Sequence, residues 1–468
     1  MSPVFTIFGL EWRRAWSNRR ALVVVACVAA LTVTAAIDGA RRAVKERQEQ
    51  IQATAAMRDF WIGQGQANPH SAAHFGVHVF QPTPRLAFFE PGHLSALPSA
   101  SHLEAHHQNL FRFRPSRDEA PGRLFSLTPA GLLQVLMPLW ALFLAFDAVS
   151  GERARGTLAQ LFLAGASARQ LLLGKALGVL SVLGAAMAPA ALVSIFVGVV
   201  WVGIDRGDVL VLGWICGLHA VVAAAWALAG VAVSAICRTS RTALVILLGV
   251  WVAQTVLLPR VAVAISEIAV PLPGLPSFEA RVEKELQNGL DGHDPEDERV
   301  EKLKQETMRK YGVQRVEDLP INFDGLRMQA SEEHGNEVFD ARFGELFDAM
   351  ERREQVARWL GLLSPLELLR PSSMALAETD FAHHRRFVEA AERYRRALVK
   401  QMNLVMAERS KTGDWAFTVG EDVWRSVPAF EAPARRPRPL VDAQLGLLAW
   451  LAAAGVLLAA AAKRVSAT

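Results

Sequence analysis

The residues best suited to chemistry cluster between Asp147 and Lys175, where the chain reads Asp-Ala-Val-Ser-Gly-Glu152-Arg153-Ala-Arg155-Gly156-Thr157-Leu158 and later Gly174-Lys175. A Gly-Lys pair invites comparison with a phosphate-binding loop, whose backbone amides cradle phosphate and whose hydroxyl reaches magnesium. The comparison fails, because Arg169 stands where the first glycine belongs and Ala176 where the hydroxyl belongs. No Gly-x-Ser-x-Gly or His-Glu-x-x-His spacing occurs either, so an integral-membrane hydrolase is the least expected reading. Glu152, Arg153 and Arg155 instead bracket a turn in which Gly156 removes side-chain bulk and Thr157 is placed to cap a following helix. Beyond Leu158, the apolar Leu161, Leu163 and Ala164 are free to lie against a membrane or a partner groove. A short, charged helix of this kind suits force transfer rather than bond breaking.

A second group with chemical potential is histidine. Seven of the twelve, His70, His74, His78, His93, His102, His106 and His107, fall within one stretch, 38–126. His74/His78 and His102/His106 have the i, i+4 spacing that lets two imidazoles on a helix meet one metal ion. Gly76 makes the first pair a poor helix, and no cysteine or carboxylate completes a ligand pattern. The expectation is no bound metal, with these four as the candidates should one bind, against a solvated, pH-sensitive loop. The three cysteines, Cys27, Cys216 and Cys237, sit in or beside apolar runs and offer neither a disulfide framework nor a thiolate site.

These residues have to be positioned by apolar elements. Of 468 residues 51% are hydrophobic, which is high for a soluble protein carrying 21% charge, so the charge must be segregated. Between Arg260 and Leu440 lie 32 acidic and 27 basic residues, a local balance of −5 against +4 for the whole chain. The basic excess therefore flanks the apolar runs, as a membrane requires, and no concentrated basic face for nucleic acid is present despite a pI near 9.1.

A helix needs about 20 apolar residues to cross a hydrocarbon core, and six segments qualify: Ala21–Ile37, Leu127–Phe146, Ala176–Val202, Val209–Ile236, Thr242–Leu258 and Ala443–Ala462. The basic clusters Arg13/Arg14/Arg19/Arg20, Arg153/Arg155/Arg169/Lys175, Arg238/Arg241 and Lys463/Arg464 all fall on one side of such a six-span chain. Lysine and arginine stay cytoplasmic in short flanks, so both termini are expected in the cytoplasm. Residues 38–126 and 259–441 then lie outside. Ahead of the first span, Phe8, Trp12 and Trp16 recur at a spacing of four beside Arg13 and Arg14, the pattern of an interfacial helix on the inner leaflet of the lipid bilayer.

The fold class expected is an all-α polytopic membrane protein with six spans and a mainly helical extracytoplasmic domain over 259–441. Phe339, Phe343, Phe347 and Met350 mark one buried helix face there. Ser372 or Ser373 is placed to cap a long helix over Phe381–Arg409. Charged groups inside spans are costly, and here they are nearly absent. His219, with Gln134 and Gln254 as polar company, marks the possible pathway, and ion-gradient coupling is disfavoured.

The stretch Glu152, Gly156-Thr157-Leu158, a Leu-rich helix and Gly174-Lys175, placed between the second and third spans, resembles the permeases of ABC type-2 exporters. Leu86–Gly92, Glu378-Thr379-Asp380 and His383, Phe387, Glu392, Tyr394 and Arg395 look like signatures of a subgroup with a large outer domain between spans five and six. The resemblance implies a non-catalytic membrane subunit in a bacterial inner membrane, with ATP and magnesium bound by a partner ATPase present in two copies. It implies also a second permease, identical or related. By this reading Glu152, Arg153, Arg155, Gly156, Thr157, Leu158, Gly174 and Lys175 couple to the ATPase. The alternatives are mechanotransmission to a periplasmic partner without cargo, and a membrane-anchored pH or metal sensor.

Overall fold

The computed structural model describes residues 3–17, 19–94, 96–109, 127–289 and 297–465, with the side chains at 20, 21 and 24 left aside. The chain opens with α1 (Pro3–Ser17) and then α2 (Arg19–Ile62), a single helix of 44 residues. At 1.5 Å per residue α2 is about 66 Å long, roughly twice a hydrocarbon core. The span expected over 21–37 is only its first part. The remainder needs no break, because 38–62 contains neither proline nor glycine beyond Gly39 and alternates charged residues with helix-favouring alanine.

Next comes α3 (Pro69–Phe75), capped by Asn68 and ended by Gly76 at φ 60°. Three short antiparallel strands follow, β1 (Val77–Phe80), β2 (Ala100–Glu104) and β3 (His107–Asn109), paired in chain order. Among the described residues this is the one sheet, in an otherwise mainly helical architecture. Val77, Val79 and Leu103 face inward while His78 and His102 are half-buried, the period-two pattern of a strand.

Helices α4 (Pro129–Ala145), α5 (Ser150–Ala154), α6 (Thr157–Leu163), α7 (Ala168–Val197), α8 (Arg206–Ile236), α9 (Ser240–Val252) and α10 (Leu258–Ala269) come next. A π-turn extends α7 to Val202, and another joins α9 to α10. The domain between α10 and the last helix holds α11 (Leu275–Leu286), α12 (Glu298–Tyr311), α13 (Phe323–Gly361), α14 (Pro365–Ala377), α15 (Phe381–Arg409) and α16 (Glu421–Ser426), and α17 (Val441–Arg464) closes the chain. Helix α15 covers the expected range, but its cap is Asp380, which accepts from the His383 amide. Ser372 and Ser373 lie inside α14 instead.

Among the described residues, five helical runs are long and apolar enough to cross a membrane: Pro129–Ala154, Ala168–Val202, Arg206–Ile236, Ser240–Ala269 and Val441–Arg464. Helix α8 packs along α4, α7 and α17, and α7 also carries α1 and α2. Their shared core includes Met137, Leu172, Leu183, Ile215 and Leu447. A second core fills the helical domain, with Phe339, Phe343 and Phe347 of α13 against Phe278, Phe381 and Phe387 as the sequence pattern required. Trp61, at the far end of α2, belongs to this second core and meets Trp424 edge to face at 5.6 Å between ring centres. Ala36 and Ala40 of the same helix belong to the first core. One helix is thus embedded in both.

The domain is fastened to the bundle by packing and by charge, since Leu368, Leu369 and Leu376 of α14 belong to the bundle core. Arg435 reaches Asp208 at 2.6 Å and Glu378 at 2.8 Å, while Arg85 reaches Asp205 and Asp208 at 2.8 and 3.1 Å. The two stretches read as subgroup signatures meet here. Gly92, at φ 50°, lies so close to Thr379 that a Cβ would fall 2.4 Å from its hydroxyl, and the His93 amide donates to the Thr379 carbonyl.

Candidate functional site

The segment between the second and third expected spans is assembled from three helices that are distant in sequence. Helix α5 presents Glu152, α7 presents Lys175, and α1 lies across both. Arg14 donates to Glu152 at 2.6 Å and Arg155 approaches it at 3.4 Å. Lys175 donates to Glu152 at 3.3 Å and to Glu11 at 2.7 Å. Thr157 gives its hydroxyl proton to the Glu152 carboxylate and backbone carbonyl. Lys175 is 2% exposed and Glu152 5%, and charges so placed are tolerated only when paired and hydrogen-bonded. One carboxylate therefore holds three cations and a hydroxyl in a fixed arrangement.

The glycines explain why α1 can come so near. A Cβ on Gly174 would stand 2.7 Å from Ile7 and 3.0 Å from the Val4 carbonyl, and one on Gly178 would stand 2.6 Å from Glu11. The first glycine of the Gly-Lys pair is a seat for α1. Phe8, Trp12 and Trp16 meet in succession along α1, tilted and then edge to face, with Trp12 and Arg13 exposed. The interfacial pattern of α1 and the Glu152 cluster are parts of one structure.

Arg153 turns the other way and donates to the carbonyls of Cys237 and Ala235 at 2.7 and 3.0 Å, tying α5 to the end of α8. Gly156 sits at φ 73°, a left-handed turn that favours glycine, and is the residue that caps α6. Thr157 does not cap that helix, contrary to expectation, because it is the first helical residue and its hydroxyl donates to Glu152. Leu158 is buried at 2% and Leu161 is half-buried, whereas Leu163 is 88% exposed. The apolar residues of α6 thus divide between the bundle core and an outward tip.

The three residues marked as a possible pathway do not share a lining. Gln134 donates to Glu90 at 2.9 Å and accepts from Arg370 at 3.2 Å, so it joins the bundle to the loop after β1 and to α14. His219 uses its Nδ1 on the Ile215 carbonyl of its own helix at 2.9 Å and packs edge-on to Phe89. Gln254 lines an apolar cavity of about 160 Å³ with Trp226, Pro365 and Trp450, a lining that includes neither of the others.

The histidines are grouped differently from the i, i+4 expectation. Gly76 ends α3, so His74 is on a helix and His78 on a strand; His78 instead pairs across strands with His102, the rings stacked at 4.5 Å. His106 stands in the β2–β3 turn at φ 64° and meets His70 and His74. The helical pair is therefore His70/His74.

Comparison with known families decides the class. Residues 5–318 match the family described as ABC-2 family transporter protein, and the match takes in α1, the whole Glu152 cluster and five of the six expected spans. The chain belongs to the ABC-2 transporter family. Residues 277–432 match a domain of unknown function, DUF3526, which coincides with the helical domain between α10 and α17. No curated protein matches the chain.

This ABC-2 protein is accordingly the membrane component of a transporter, a permease subunit, and its class implies an ABC ATPase as partner and a membrane around it. Sequence reading passed over Glu11, Glu90 and Glu332, and counted His70 without pairing it with His74. Glu11 is the lone acid among the arginines of α1, a signal that was present. Glu90 lies inside the Leu86–Gly92 signature, but its partners come from elements far away in sequence.

Proposed function

We propose that this ABC-2 permease is the membrane-spanning subunit of an ATP-driven exporter, pushed by a separate ATPase that grips α6 and the Glu152 cluster. ATP and magnesium are bound by that partner. The observation that carries the reading is the clamp itself: α1, α5, α6 and α7 are locked around Glu152, while Leu163 is left exposed at the tip of α6. A rigid, charge-locked platform with an apolar tip conveys displacement to the bundle with little loss. The charge flanks support a bacterial inner membrane with both termini cytoplasmic. By the family's architecture, two ATPases and a second permease, identical or related, complete the complex.

An amphipathic cargo is supported by a cavity of about 470 Å³ between α10, α13 and α14, where Val263, Met350 and Met374 stand beside Arg353, Glu354 and Arg438. Burial pushes the Glu354 carboxyl up to about 7, reinforced by Asp380, so this wall gains charge across neutral pH.

The test is hydrolysis by the purified complex. Leu163→Asp is expected to abolish ATPase association, and Gly156→Trp to keep association but lose stimulated hydrolysis. Co-purification of no ATPase with the wild-type chain would overturn the reading.

A second reading is favoured by α2, which is embedded in both cores: hydrolysis moves the helical domain against a periplasmic partner and no cargo crosses. Reconstituted vesicles separate the two, since only export predicts ATP-dependent accumulation of an amphipathic probe.

A further inference from the structure

We propose that His70, His74 and His106 form a binding site for one divalent transition-metal ion of the zinc class. The nitrogen ligands of the three rings lie within 4.8 Å of one another, and Nε2 of His70 is 3.0 Å from Nε2 of His74. Zinc holds imidazole nitrogens at about 2.0–2.1 Å in a tetrahedron, which sets neighbouring nitrogens about 3.4 Å apart. The cluster therefore needs rotation of side chains, not movement of backbone, to close on an ion. Imidazole ligands suit zinc, copper and nickel, and three of them leave a fourth position for water or an incoming ligand.

The surroundings are those of a prepared site. His70 and His74 share one face of α3, whose first turn is fixed by Asn68: its side-chain oxygen accepts from the His70 and Ser71 amides, and its nitrogen donates to the carbonyls of Trp415 and Phe417. His106 is held by Glu332, which is 2.8 Å from its Nδ1 and accepts from its backbone amide at 2.6 Å. A carboxylate on one ring nitrogen fixes the tautomer and turns the other nitrogen toward a metal. Glu332 is itself fixed by Arg395 at 2.9 Å, and Arg395 by Glu392 and Asn336. His106 also adopts a left-handed conformation that side chains other than glycine take at a cost. The ring is thereby turned back toward α3.

An ion here would join α3 and the β2–β3 turn, both from the segment that follows α2, to α13 and α15 of the helical domain through the Glu332–Arg395 pair. Metal occupancy would set how firmly the far end of α2 is anchored.

The test uses the full-length, untagged chain in detergent, stripped with chelator and titrated with Zn²⁺ against a chromophoric competitor. One ion per chain is expected. His74→Ala and His106→Ala should each weaken binding more than about a hundredfold, Glu332→Gln by about 10–100-fold, and His102→Ala should leave it unchanged. Cobalt loading reads the ligand set independently of affinity, with visible bands of a tetrahedral nitrogen site in the wild type that vanish in His74→Ala. Thermal melts of the apo forms show that the variants are folded. No stoichiometric binding, binding indifferent to His74 and His106, or equal loss in His102→Ala would each overturn the assignment.

Discussion

Glu152 shows how much a single buried charge can organise. Replacing it with alanine strands Lys175, 2% exposed, with Glu11 as its remaining acid, and removes the partner of Arg14. Breaking a buried pair costs about 3–5 kcal/mol. Glu152→Ala is therefore expected to lower the thermal unfolding midpoint in detergent clearly, while Lys175→Met added to it restores part of the loss; a double-mutant cycle measures this directly. In the helical domain, His384 is 3% exposed, donates its Nδ1 proton to Oε1 of Gln81, and burial holds it down at about 4. Its folded value lies below the unfolded 6.5, so the unfolded chain takes the proton first as pH falls. Stability from this residue is complete above about pH 6.5, declines between 6.5 and 4, and levels off below. The loss is about 3 kcal/mol, and unfolding followed across that window should flatten in His384→Gln. Asp380 acts lower: buried, but bonded to His383 and Arg438, its carboxyl is lowered to about 2, so its contribution disappears only as pH falls below the usual carboxylate value.

At the scale of elements, α1 stays seated because α7 offers no side chain at two positions. Gly178→Leu places atoms where Glu11 now stands and should lift α1 from α7. The check is maleimide labelling of Ile7→Cys in a chain without Cys27, Cys216 and Cys237: Ile7 is buried, so labelling should be slow, and should quicken sharply with Gly178→Leu. Helices of this kind were largely readable from sequence. The α15 range, the aromatic face of α13 and the apolar runs follow from period and length alone, because burial in helices repeats along the chain. The α1–α7 contact was not readable, since Glu11 and Lys175 are joined by a fold rather than by spacing. The histidine pairs failed for a local reason: Gly76 at φ 60° converts helix to strand between His74 and His78, and a turn brings in His106 instead. Thr157 was misread because the left-handed turn at Gly156 starts α6 one residue earlier, so Thr157 is the first helical residue and its hydroxyl donates to Glu152.

For the whole molecule, the continuity of α2 is one feature that joins membrane and domain, beside the packing of α14 in the bundle core. Ala55→Pro should break it at an exposed position, at a cost of about 3 kcal/mol. ATPase association, which the proposed function assigns to α6, is expected to survive, while any response of the domain to nucleotide, read by a fluorophore pair between the bundle and α16, should weaken sharply. From Ala36 in the bundle core to Trp61 in the domain core, α2 runs about 38 Å at 1.5 Å per residue. A rocking of about 5° about Ala36 therefore displaces Trp61 by about 3 Å, half the pitch of a helix. Such gearing turns a small tilt, of the size that a packed bundle accommodates without opening voids, into a stroke large enough to shift the Trp61–Trp424 contact from one packing arrangement to another.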